Sequence, residues 1–119
     1  MTERPYSLFR RFGDHVVISG TLGLFPDQYG SQLVEGGVLK QLQKALENAE
    51  RILQDSGALK SEVFKATVYL TSLEHLADCN EIWLEFFAEP RPARTTIAVV
   101  ELPRKSLVEI ELWAYSPSK

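Results

Sequence analysis

Residues 92 to 115 read PARTTIAVVELPRKSLVEIELWAY. Two apolar, β-branched runs, Ala93 to Val100 and Leu107 to Tyr115, flank a short connection with a proline, so both read as strands. In the second run Val108, Ile110, Leu112 and Ala114 fall on one side of a pleat, and Glu109, Glu111, Trp113 and Tyr115 on the other. The first set suits a core. The second mixes carboxylates with aromatics, which suits a subunit interface with a site in it better than plain solvent surface. The first run carries Arg94 at its head, and a guanidinium held on a strand can grip a planar carboxylate with two parallel hydrogen bonds. An ion pair between Arg94 and Glu109, or another acid, is the structural alternative. For Glu109 and Glu111, a carboxylate walled by aromatics can serve as acid, base or water-orienting group, and a solvated strand face is the plainer reading.

Upstream, Val63 to Leu70 (VFKATVYL) is β-branched and aromatic and reads as a strand. Before it, Val38, Leu39, Leu42, Ala45, Leu46, Ala49, Ile52 and Leu53 recur at helical spacing, and Gly57 ends that helix. After it, Ser72 is a candidate cap for a second helix through Phe87, which Pro90 and Pro92 stop. Phe9 to Phe12 and His15 to Ser19 read as short strands around Gly13-Asp14. Gly20 to Gly37, rich in glycine, proline and aspartate, reads as a long connection. The order β-β-α-β-α-β-β predicts an α+β sandwich, one domain over residues 1–119, with both helices on one face of a mixed sheet. If the last two strands pair across ELPRKS, Glu109 falls level with Ala98, some four residues from Arg94. That is too far for both to touch one small ligand, so a site drawing Arg94 from one subunit and Glu109 from the next is expected.

The formal charge of −3 lacks the cationic footprint of a nucleic-acid binder. No apolar run approaches a membrane span, and MTERPYSLF has neither a signal-peptide core nor a transit pattern, so a cytoplasmic location is expected. The single cysteine, Cys79, leaves no internal disulfide and no cysteine-based zinc site, and a buried, inert thiol is the reading favoured over a nucleophile. His15 and His75 lack acidic or cysteine neighbours at ligand spacing and read as structural or solvent-exposed. Neither a dinucleotide fingerprint nor a P-loop is present, and Ser19 lacks the context of a hydrolase elbow.

The chain resembles the RidA/YjgF family of reactive-intermediate imine deaminases. The resemblance runs through RPYS, VVISG, ALENAERIL, VFKATVYL, CNEIWLEFF, PRPARTTIAVVELP and VEIELWA in order. It implies a chorismate-mutase-like α+β subunit, a homotrimer with clefts between subunits, and no cofactor. It also implies that Arg94 binds the substrate carboxylate and that Glu109 positions the water that hydrolyses a 2-imino acid, such as 2-iminobutanoate or 2-aminoacrylate, to a 2-oxo acid and ammonia. Tyr6, Ser19, Asn80 and Thr96 match positions lining the family's cleft, whereas Glu111 matches an acid without a comparable assignment. Thr21, Leu8 and Thr96 depart from residues frequent in the family and bear on substrate fit. A non-catalytic trimer that binds small carboxylates and regulates a partner is the alternative, one that keeps Arg94 without requiring Glu109. RNA cleavage, a third reading, is disfavoured by the acidic charge.

Overall fold

The computed structural model describes residues 3–26 and 32–117; part of the connection expected between Gly20 and Gly37 therefore lies outside the described residues. Five strands and two helices follow one another as β1 (Phe9–Phe12), β2 (His15–Thr21), α1 (Gly37–Ser56), β3 (Val63–Leu70), α2 (Leu76–Phe86), β4 (Ala93–Ala98) and β5 (Val108–Tyr115). They build one mixed sheet in the order β1-β2-β5-β3-β4, antiparallel except for the parallel pair β3 and β4. This is the α+β architecture that the element order predicts.

The periodicities explain the layers. Leu42, Ala45, Leu46, Ala49 and Leu53 form one buried stripe of α1. They meet Val16 and Ile18 of β2, Ala66, Val68 and Leu70 of β3, and Val108, Ile110, Leu112 and Ala114 of β5 in one core. Each large aliphatic side chain contributes about 1.5–3 kcal/mol by leaving water. Helix α2 adds Cys79 and Trp83, and Phe87 follows it into the core. Gly57 ends α1 in the left-handed region, donating its N–H to Leu53 and Gln54 carbonyls, as its position after the last apolar residue predicts. Ser72 does not cap α2. Its hydroxyl accepts the Glu74 N–H at 3.1 Å in a turn before the helix, which starts at Leu76.

The expected pairing of the last two strands is overturned, because β3 lies between them. The crossover through α2 lays β4 beside β3, and the Val99–Leu107 connection then passes the end of β3. There Val99 donates to the Leu70 carbonyl at 2.8 Å, and Thr71 donates to the Leu107 carbonyl at 3.2 Å. β5 consequently enters on the far side of β3, with Glu109 level with Tyr69. Tyr69 is in turn level with Ile97 of β4, not with Ala98.

Arg11 ties three chain segments together. Its guanidinium donates to the Ser116 carbonyl at 2.8 Å and to the Ser56 carbonyl, at the end of α1, at 3.1 Å. A cation against the negative end of a helix that also satisfies a strand-end carbonyl stabilises on both counts. Arg11→Met keeps the apolar stem and leaves those carbonyls without their donor, so urea unfolding should show a loss of about 1.5–3 kcal/mol.

Candidate functional site

Arg94 sits on the edge strand β4, in register with Ala66 of β3, which is in register with Leu112 of β5. Laterally paired residues share a sheet face, so Arg94 lies on the face the helices cover. Its guanidinium carbon stands 5.3 Å from the Trp83 ring centre on α2, a cation–π contact. The side chain is half-buried, and among the described residues no acid forms an ion pair with it. Thr96, two residues on and on the same face, buries its hydroxyl oxygen without a hydrogen bond among the described residues. Asn80 of α2 buries its side-chain carbonyl oxygen in the same condition. Such orphaned acceptors are costly unless something else supplies a donor. Cys79 is buried, its thiol pushed up by burial and then by Asp78, against a smaller downward pull from Arg94. A thiol held neutral in this way fits the inert reading.

Glu109 occupies the opposite face. It is level with Tyr69, an odd number of residues from the Ala66 row, on the face carrying Glu111, Trp113 and Tyr115. Two β2 residues, Ser19 and Gly20, stand opposite the single residue Glu111 between the Ile18–Leu112 and Thr21–Ile110 pairs. This is a bulge. It returns both Ile18 and Thr21 to the buried side and brings the Gly20 backbone against Glu109. A Cβ on Gly20 would lie 2.2 Å from Glu109 Oε2, so only glycine leaves room for the carboxylate. Burial, and then the charge of Glu111, raise the Glu109 carboxyl above the ordinary carboxylate range. The Tyr69 hydroxyl donates to Glu111 Oε1 at 3.3 Å.

Ser19 turns its hydroxyl to the Ser7 carbonyl at 2.6 Å, and its N–H goes to the Leu8 carbonyl at 3.0 Å. It thereby fastens the segment that carries Tyr6, whose ring is 54% exposed. Thr21, by contrast, is buried and donates to the Ser19 carbonyl at 2.9 Å, so its side chain shapes the bulge. His15 is exposed and packs edge-on against Tyr115, and His75 is exposed with Glu74 at 4.0 Å, both as their sequence contexts predict.

The sequence-derived residues thus divide. Arg94, Thr96 and Asn80 belong to the β4–α2 side, whereas Glu109 and Ser19, with the Tyr6 segment, belong to the open sheet face. Arg94 and Glu109 are separated by about 10 Å along the strands and about 10 Å across them, besides pointing oppositely. An Arg94–Glu109 ion pair within one chain is therefore excluded. A concavity of about 420 Å³ lies elsewhere, between the start of α1 and the β3–α2 connection, lined by Gly36, Gly37, Ser72, His75 and Leu107 among others. It touches neither Arg94 nor Glu109. Trp83, Gly20 and Tyr69 are the site neighbours that sequence reasoning missed, and only Gly20 gave a signal, as a glycine interrupting a strand pattern. Gly20→Ala should fold normally yet displace the Glu109 carboxylate. A ¹³C NMR titration of the Glu109 carboxyl checks this, and an unchanged curve would contradict the close approach.

The family described as Endoribonuclease L-PSP matches residues 1–116 of this chain. A RutC family protein of Pyrococcus abyssi is 35% identical over 111 residues, covering 93% of this chain and 86% of that one. A Mus musculus protein named 2-iminobutanoate/2-iminopropanoate deaminase is 39% identical over 107 residues, covering 90% of this chain and 78% of that one. Among solved structures, RidA from the Antarctic bacterium Psychrobacter sp. superposes with a TM-score of 0.87 at 35% identity, covering 97% of this chain and 91% of the other. With the sheet order and the PAR and VEIE strands in place, these likenesses show that the chain belongs to the RidA/YjgF family.

Proposed function

We propose that this protein hydrolyses small 2-imino acids to 2-oxo acids and ammonia, at sites formed between subunits of a homotrimer. The observation that carries the reading is the division of its charged groups. A half-buried guanidinium that among the described residues has no acid partner lies on one face, and a carboxylate with raised proton affinity lies on the other. A small 2-imino acid needs both, one for its carboxylate and one for the attacking water. Relatives named as deaminases support the reaction class. The family description names an endoribonuclease, but a net charge of −3 favours a small anion gripped by one cation over a polyanion. Among the described residues no helix is long and apolar enough to cross a membrane.

The chemistry needs positioning more than power. Arg94 takes the substrate carboxylate through two parallel N–H donors, and Thr96 and Asn80 line the same side. The iminium carbon is already electrophilic. Water adds to it as its proton passes to the Glu109 carboxylate, giving a neutral carbinolamine. Glu109 returns that proton to the nitrogen, the C–N bond breaks with its electron pair leaving on nitrogen as ammonia, and the hydroxyl proton passes through Glu109 to that ammonia as the carbonyl forms. Ammonium and the 2-oxo acid result. A group that both accepts and returns a proton works best with an affinity nearer neutrality than an ordinary carboxylate has, which the burial of Glu109 provides.

Imines generated in situ by an amino-acid oxidase, with semicarbazide trapping what escapes hydrolysis, give the direct test. Wild type should suppress trapping, and ligand binding without any suppression would favour a carboxylate-binding regulatory trimer. Arg94→Lys retains charge but loses the planar fork, so kcat/KM should fall by about tenfold or more, corresponding to roughly 1.5–3 kcal/mol of charged hydrogen bonding.

The shared site has its own test. Arg94→Ala and Glu109→Ala chains, each inactive alone, should recover about a quarter of wild-type sites when unfolded and reassembled in equal amounts, by random pairing around a cyclic interface. No recovery, with mixed trimers demonstrated by mass spectrometry, would overturn the division between subunits.

A further inference from the structure

On the open face Glu109 and Glu111 are one pleat repeat apart on β5, their backbones about 7 Å apart along the strand. Their surroundings differ. Tyr69 is level with Glu109 across the β3–β5 ladder, yet its hydroxyl reaches diagonally and donates to Glu111 Oε1 at 3.3 Å. Glu109 instead has its Oε2 pressed toward the Gly20 backbone, where a Cβ would come within 2.2 Å. One acid therefore has a neutral donor that favours its charged form, and the other is crowded against a strand backbone. Two nearby carboxylates do not ionise independently, so whichever is better stabilised as an anion pushes the proton onto its neighbour.

We propose that Glu111, held by the Tyr69 hydroxyl, is a positioning residue: it is a fixed negative charge that makes Glu109 the proton-carrying carboxylate of the site. The inference rests on the imine-hydrolase reading for its purpose, though not for its geometry. Burial is the larger cause of the high proton affinity of Glu109 and the charge of Glu111 the second. The Tyr69 phenol is itself pushed up by burial and then by Glu111, so it stays a protonated donor. The other groups facing this row do not substitute for Glu111. On β2, Ser19 and Gly20 are uncharged. On β3, Lys65 is engaged at 2.8 Å with Thr95 across the β3–β4 ladder. On β1, Arg10 is level with Val17, further along the sheet, and in the N-terminal segment Arg4 lies over the Tyr6 ring at 6.0 Å. In the proposed trimer, Arg94 of the partner subunit acts in the opposite direction, lowering the affinity of Glu109 for a proton. The charge of Glu111 offsets that pull.

The sign of the effect follows directly. Removing the charge of Glu111 makes ionised Glu109 easier to form, so its titration moves to lower pH. Carboxyl ¹³C titrations of wild type, Glu111→Gln and Tyr69→Phe, followed beside pH profiles of kcat/KM, test this in the intact protein. Glu111→Gln should move the Glu109 midpoint down and carry the acid limb of kcat/KM down with it, while the plateau rate falls because Glu109 is a weaker base. Tyr69→Phe, which takes the donor from the Glu111 carboxylate, should move the Glu109 midpoint in the same direction by less. A Glu109 midpoint unmoved by Glu111→Gln overturns the proposal, as does one unmoved by Tyr69→Phe. The titration reads the pair even if imines are not hydrolysed, so failure of the activity and failure of this inference remain distinct.

Discussion

Strand β3 holds a ladder on each side, to β5 and to β4, and the alternation of its residues fixes where every charged group of the site points. Ala66, Val68 and Leu70 are buried beneath the helices, while Lys65, Thr67 and Tyr69 face away. A slip of one residue would exchange the two sets and put a lysine and a tyrosine into the core, so the register is strongly specified. Arg94 follows Ala66 onto the helix side, and Glu109 follows Tyr69 onto the open side. Neither charge chooses its own direction. The apolar residues beside them do.

The two faces then treat their charges differently. On the helix side Arg94 lies at an edge strand against the Trp83 ring of the short helix α2, and among the described residues no acid forms an ion pair with it. A guanidinium is weakly hydrated and tolerates such partial burial, and it keeps its donors free in a way that a buried ion pair would not. On the open side, the bulge at Ser19 and Gly20 lets a carboxylate approach a strand backbone that any side chain on Gly20 would obstruct. Crowding an acid in this way works against the stability of the fold when it is ionised. The continuous core of α1, β2, β3 and β5 offsets it.

How much of this can be read from sequence depends on range. Val63–Leu70 is legible to the residue because a β-branched run has few alternatives, and α1 is legible because its apolar stripe ends at a glycine. The insertion of β3 between β4 and β5 is not legible from pattern. A six-residue link between strands reads locally as a hairpin, whereas the preceding crossover through α2 decides the neighbour. The expected pairing placed Arg94 and Glu109 apart along the sheet, and the observed register places them apart on opposite faces as well. Arg94 and Glu109 stood out by residue chemistry and strand position, whereas Asn80, Ser19, Thr96 and Tyr6 entered through family resemblance, and the structure adds their surroundings. Ser19 is the clearest case, since its hydroxyl goes to the Ser7 backbone and fastens the Tyr6 segment.

In the proposed trimer the open face would link assembly to chemistry. Trp113 and Tyr115 are 43% and 48% exposed there, and Phe12, paired with His15 at the far end of the sheet, is 86% exposed. An aromatic surface of this kind gains by being covered, at about 25 cal/mol for each Å² of apolar area removed from water. Two carboxylates share the surface, so an apolar cover alone would strand their charge in a dry environment. A cover that also brought a cation would resolve the conflict, and a second copy of this chain would have one in Arg94, half-buried and, among the described residues, without an acid partner. Subunit association and completion of the site would then be one event. Water would be excluded from the aromatic face by the same contact that sets a guanidinium opposite Glu109.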